Sequence, residues 1–172
     1  KEKMTNQLIP LLTLNEFLKL PETKPASEFI KGNIIQKPMP QGEHSRLQSK
    51  LCIAINQMAE TAKIAYAFPE LRCTFADKSL VPDIAVFRWN RIPRLPNGRV
   101  ANRFKTYPDW AIEILSPGQS QTRVLGNLLH CSEHGTELGW LVDPEEETVL
   151  VVLSEGRVRL FQGDDLLPVL SG

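Results

Sequence analysis

Cysteine is scarce in this chain: there are three in 172 residues, Cys52, Cys73 and Cys131, odd in number and far apart. That argues against a disulfide framework and a cysteine-based zinc site, and reads as reduced filler. Net charge is lacking too, with 20 Lys and Arg against 20 Asp and Glu, so no global field draws the chain to nucleic acid. No apolar run approaches the roughly 20 residues of a membrane-spanning helix, and the N-terminus lacks a charged-then-apolar signal pattern. The expectation is a soluble, cytoplasmic protein with no membrane partner. Internal repeats and low-complexity tracts are also missing. What remains, 42% hydrophobic, is one domain over 1–172, large enough to bury roughly two-thirds of the surface its unfolded chain exposes.

Against that background Glu113 stands out, because it sits inside Trp110-Ala111-Ile112-Glu113-Ile114-Leu115, otherwise an apolar run that reads as a buried strand. Removing a lone carboxylate from water costs several kcal/mol or forces its protonation, unless a cation or strong donors meet it. A similar run, Asp83-Ile84-Ala85-Val86-Phe87, opens on a second acid, and Pro-Asp steps precede both runs, at Pro82-Asp83 and Pro108-Asp109. Two acids on neighbouring strands can cradle a metal. By alternation Asp83 shares a face with Ala85 and Phe87, and Glu113 with Ala111 and Leu115, so small alanines leave room beside each acid. A buried Arg or Lys neutralising Glu113, or acids on opposite faces of the sheet, would remove that cradle.

The order of elements is α+β. Residues 13–19 form a short helix with Thr13 as N-cap and Glu16 three places on, the capping-box pattern, and Pro21 stops it. A hairpin follows around Lys31-Gly32-Asn33, then a long helix whose buried face is read as Leu47, Leu51, Ala54, Ile55, Met58 and Ala62. Strands are expected near 65–68, 72–75, 83–87 and 110–115, a second helix over 119–134, and strands over 138–142, 148–153 and 157–161. On the second helix Val124, Leu125, Leu128 and Leu129 make the apolar stripe, with Arg123, Asn127, His130 and His134 opposite. Met58, Trp140 and Phe161 read as core. Asp109 and Asp143 read as turn residues rather than ligands.

Charge that is absent overall is present locally. Between 88 and 105 lie six cations, Arg88, Arg91, Arg94, Arg99, Arg103 and Lys105, with no Asp or Glu, in a long loop joining the two acid-bearing strands. Long loops in compact domains are often functional. One reading is a phosphate-contacting surface; the other, at nearly even weight, is a solvated connector.

With the elements placed, the chain resembles the restriction-endonuclease-like PD-(D/E)XK fold, and more closely the Uma-type endonuclease family abundant in cyanobacteria. The residues that carry the resemblance are Gly42-Glu43-His44-Ser45, the strand from Val81 to Val86, the stretch from Pro108 to Pro117, and Leu138-Gly139-Trp140-Leu141-Val142-Asp143-Pro144. The motif-bearing core spans about 28–153. The resemblance implies a restriction-endonuclease-like core, a mixed β-sheet flanked by helices with additional C-terminal strands, acting as a Mg²⁺- or Mn²⁺-dependent DNA endonuclease. It carries the metal-binding acids onto Asp83 and Glu113, with the backbone carbonyl of Ile114 as a further ligand, and places His44 at the helix start beside the cleft. It also suggests a homodimer, since cutting both strands of a duplex suits two-fold symmetry.

Two departures bear on activity. The parent fold carries a lysine two residues after the Glu, where this chain has Leu115, and relatives carry one on the following helix, where it has Asn127. An amide orients water but supplies no charge. Arg123 or a cation of the basic loop could substitute; otherwise the domain is a weakened module that binds DNA or a protein partner. A third reading comes from His130-Cys131-Ser132-Glu133-His134, which matches the H-x-x-E-H spacing of inverted zincins. The bland alternative, two histidines on a solvated last turn of a helix, carries more weight.

Overall fold

Local chemistry sets most of the elements in the computed structural model, which describes residues 11–171. The Thr13 hydroxyl accepts from the Glu16 amide at 3.2 Å and starts α1 (Leu14–Leu18). β1 (Ser27–Ile30) and β2 (Asn33–Gln36) form a hairpin whose turn residues, Lys31 and Gly32, both have positive φ, matching the strand twist. After α2 (Gly42–Ala59) come β3 (Ala65–Pro69) and a second hairpin, β4 (Cys73–Phe75) and β5 (Lys78–Leu80). The remaining elements are β6 (Ile84–Arg88), β7 (Trp110–Ile114), α3 (Gln121–Glu133), β8 (Leu138–Asp143), β9 (Thr148–Val152) and β10 (Val158–Gln162).

Two sheets result. The larger has the order β10-β9-β8-β7-β6-β3 and is mixed, since β7 and β8, joined through α3, run parallel while the other pairs are antiparallel. The smaller has the order β2-β1-β5-β4. On one face of the large sheet Ile84, Val86, Trp110, Ile112 and Trp140 pack against Leu51, Cys52, Ile55 and Ala59 of α2. On the other face Ala111 and Leu141 meet Val124 and Leu128 of α3, while Ala85 and Phe87 meet Cys73 and the loop residue Phe104.

α2 is rolled relative to the expected face. Met58 is 82% exposed and Ala54 is exposed, while His44, Gln48, Leu51, Cys52, Ile55 and Asn56 face inward. The physical reason is that two amides bond backbone: Gln48 donates to the Asp83 carbonyl at 2.8 Å, and Asn56 exchanges bonds with Ala67 at 2.8 and 3.1 Å. Phe161, expected in the core, is only half-buried, whereas Trp140 is buried as expected. α3 also departs from its expected division, because Asn127 and His130 are buried.

The loop between β6 and β7 has a fixed route. β6 and β7 are antiparallel, so a connection from Arg88 to Trp110 joins the ends of those strands remote from Asp83 and Glu113. It is pinned by Phe104, 2% exposed and bridged to Cys73, and by an Arg94–Val100 bridge.

Candidate active site

The β6–β7 register pairs Ile84 with Ile112 and Ala85 with Ala111, and one further step sets Asp83 directly opposite Glu113. Both acids lie on the face that carries the two alanines, and they are 3% and 5% exposed. The acids therefore share one face of the sheet.

A cation meets them, and it comes from a place the sequence reading did not consider. Lys37, at the end of the first hairpin, has its Nζ 2.9 Å from Asp83 Oδ1 and 3.3 Å from Glu113 Oε2, and it also donates to the Val81 carbonyl. Its amide donates to the Ala26 carbonyl, prolonging the hairpin ladder and aiming the side chain. From α2, the Nε2 of His44 stands 3.1 Å from Asp83 Oδ2, and the Ile114 amide donates to the same oxygen at 2.7 Å. A third acid, Glu28 of β1, is 6% exposed and accepts from the Val81 amide at 2.8 Å. A cavity of about 410 Å³ opens onto Lys37, His44 and Asp83, walled by Pro25, Pro38, Met39 and Pro40.

The electrostatics are uneven. Burial acts to raise the Asp83 carboxyl, but the Lys37 charge, the His44 contact and the Ile114 amide outweigh it and hold that group well below the usual range. Glu113 goes the other way: burial drives it well above the usual range, and the charge of Lys37 does not overcome this against the neighbouring acids. Glu28 is also raised, chiefly by burial. Burial acts against the charge of Lys37, yet Glu113, Asp83 and Glu28 together hold its ammonium far above its ordinary value. A buried lysine does touch Glu113, the condition set against a metal cradle. That lysine lies nearer Asp83, at 2.9 Å against 3.3 Å, and burial still holds Glu113 above its usual range despite the contact.

The expected residues separate into those at this centre and those elsewhere. Asp83, Glu113, Ile114 and His44 come together. Asn127 is buried on α3, and Leu115 packs partly buried against the α3 cluster. Arg88 pairs with Glu137 and bonds Ser171. Arg91 pairs with Asp109 at 2.9 Å, donates to Thr106 and the Tyr107 carbonyl, and lies 4.3 Å from the Tyr107 ring centroid. Those two guanidinium groups brace the loop, and Asp109 accepts from the Arg88 amide as well as pairing with Arg91. Arg94 lies over Trp89, while Arg99, Arg103 and Lys105 are exposed, the last two bordering a second cavity beside Arg72. The cavity at the acids is lined by neither Arg123 nor any of the loop cations; the lysines that line it are Lys24 and Lys37.

Glu28 was missed although the logic that singled out Glu113 applies to it, since it stands in the short run Glu28-Phe29-Ile30. Lys37 had no such signal.

A mixed sheet with one helix on each face, and two opposed carboxylates where an antiparallel strand pair opens into a cleft, defines the restriction-endonuclease-like class of α+β proteins. The chain belongs to the Uma2 family, described as putative restriction endonucleases, whose model matches residues 14–171. It is similar to the crystal structure of a putative nuclease of the DUF820 group from Anabaena variabilis, with 59% identity and a TM-score of 0.90, covering 92% of this chain and 89% of that one. No curated protein matches the chain. Among the described residues no helix is long and apolar enough to cross a membrane.

Proposed function

We propose that the chain is a metal-dependent endonuclease that hydrolyses phosphodiester bonds in DNA, centred on Asp83 and Glu113. The observation that carries this is a group of three buried acids, Glu28, Asp83 and Glu113, the last two in contact with Lys37 beside an open cavity. Burial holds Glu113 and Glu28 above their usual range, and a divalent ion is a counter-charge that would draw these acids into the ionised, ligand form. The donors are hard oxygens, which suit Mg²⁺ or Mn²⁺, with Asp83, Glu113 and the Ile114 carbonyl as the residues that would hold it. Such an ion, when bound, polarises the scissile phosphate and lowers the pKa of a bound water.

The chain's own residues supply the rest. Lys37 keeps a permanent positive charge at the pair and can orient the attacking water or meet a phosphate oxygen, the role that Leu115 and Asn127 leave open. His44 and the Ile114 amide fix Asp83 in one orientation, so little reorganisation is required during reaction. Pro38 and Met39 narrow the approach. Water attacks phosphorus and gives up a proton to solvent, the phosphorus–oxygen ester bond breaks, and the leaving oxygen takes a proton from solvent water in the cleft. Arg99, Arg103 and Lys105, exposed on the loop, are the cations left to contact DNA phosphates; Arg88 and Arg91 hold that loop in shape.

The test is cleavage of single-stranded and duplex DNA in Mg²⁺ or Mn²⁺ by wild type, Glu113→Gln and Lys37→Met. Wild type cuts; each substitution lowers the rate by on the order of 100- to 1,000-fold, as for a lost transition-state donor. Cutting that survives Glu113→Gln assigns the activity elsewhere. A wild type that binds DNA and never cuts, even in Mn²⁺, makes the chain a binding module.

A further inference from the structure

We infer that the last turn of α3 carries a second metal site, formed by His130, Glu133 and His134, which takes a borderline transition-metal ion such as Zn²⁺ rather than Mg²⁺. One ring nitrogen from each histidine and a Glu133 carboxylate oxygen lie within 4.8 Å of one another, on side chains spaced three and four residues apart along one helix face. Spacing alone carries little weight, since a solvated helix end offers such triads freely. Two observations go beyond it.

First, His130 is not solvated. It is 8% exposed, its ring stacks on Phe75 of β4 with centroids 5.3 Å apart, and its Nε2 is buried with no hydrogen-bond partner among the described residues. A buried ring nitrogen left bare loses its water without compensation, and a metal ion is a partner that would restore it. Second, the His134 Nδ1 lies 2.8 Å from the His130 carbonyl. A carbonyl only accepts, so Nδ1 carries the hydrogen and Nε2 is left as the basic, ligand-ready atom, the tautomer that metal-binding histidines adopt when the other nitrogen is tethered.

Glu133, exposed, supplies a carboxylate beside the two rings, set against the opposing charge of Lys78 on β5. Imidazole-rich donors select Zn²⁺, Ni²⁺ or Cu²⁺ over the hard ions that suit an all-oxygen set. Glu133 and His134 are exposed, so an ion has a direct path from solvent and keeps a coordination position open to water. This inference does not rest on the nuclease reading.

The experiment titrates ZnCl₂ into the chelator-stripped full chain, with heat of binding and thermal melting as readouts, and compares His134→Ala, His130→Gln and the double variant Asp83→Asn/Glu113→Gln. His134 is exposed, so His134→Ala leaves the fold intact and is the decisive variant. Wild type binds one Zn²⁺ and melts roughly 5 to 10 °C higher at about a hundred times Kd. The double acid variant keeps that shift, and His134→Ala weakens binding at least about tenfold. Zn²⁺ binding that is untouched by His134→Ala, that disappears with the acids, or that wild type never shows, overturns the site.

Discussion

Glu113 has an energetic problem that Asp83, directly opposite, does not share. Asp83 collects Lys37, His44 and the Ile114 amide, whereas Glu113 meets the same ammonium at a longer 3.3 Å and faces the Asp83 carboxyl. The two acids consequently move in opposite directions with pH. Below its ordinary pKa of about 4.5, Glu113 is protonated whether folded or unfolded, and ionisation costs nothing. Above that pH the unfolded chain gives up the proton while the folded chain retains it, so this group's contribution to stability falls as pH rises toward its raised folded pKa. Asp83 contributes stability above its unfolded value of 3.8 and loses it as pH falls through its depressed folded pKa. Glu113→Gln should therefore raise the melting temperature more at pH 8 than at pH 4.5 in metal-free buffer, by roughly 2–4 °C for each kcal/mol of penalty removed. An equal effect at both pH values would mean that Glu113 is ionised in the fold without cost. The sequence showed that this carboxylate needed a cation, because burial of an apolar strand is a local property. It did not show which cation, because Lys37 is 76 residues away and no periodicity links them.

At the scale of elements, the long helix shows why hydrophobic spacing gave the helix and not its orientation. Period alone places Met58 and Ala54 inward, yet α2 turns Gln48 and Asn56 toward the sheet, where their amides satisfy backbone groups of Asp83 and Ala67. An amide that bonds a strand is inward-facing however polar it looks, and that partner is invisible until the strand is placed. Asn56→Leu strands the Ala67 amide and carbonyl and should destabilise the fold by about 1–3 kcal/mol. Met58→Gln, at a position 82% exposed, should stay within about 0.5 kcal/mol. Urea melts of the two variants separate the alternatives, and the reverse ranking would restore the face read from spacing. The strands bearing Pro82-Asp83 and Glu113 were legible because their apolar runs are long. β5, three residues, was not, since so short a segment carries no alternation to read.

At the scale of the molecule, the acid centre and the basic loop are governed by one topological fact. Antiparallel neighbours β6 and β7 place their acids at one end, and their connection must leave from the other. The charge pattern of the sequence showed a cluster of cations, but neighbours in sequence are not neighbours at the site. Arg88 and Arg91 are spent on Glu137 and Asp109, and what remains is a band of exposed cations on a molecule with no net charge. On the proposed nuclease reading, such a band predicts DNA binding of modest salt dependence. Three cations, Arg99, Arg103 and Lys105, bound the slope of log K against log salt at about −3 for duplex, near −0.9 per neutralised phosphate. The triple variant Arg99→Glu, Arg103→Glu, Lys105→Glu should bind at least about tenfold more weakly at low salt with a flatter slope, while its melting temperature stays close to wild type because these side chains are exposed. Arg91→Ala should do the opposite, lowering the melting temperature by removing the brace on Asp109 and affecting DNA binding only through the loop's shape. Fluorescence anisotropy across a salt series, with melts of the same samples, distinguishes them. Unchanged affinity in the triple variant would make the loop a solubilising connector, and DNA would then have to be held by the cleft itself, where Lys24 and Lys37 are the cations that line the wall.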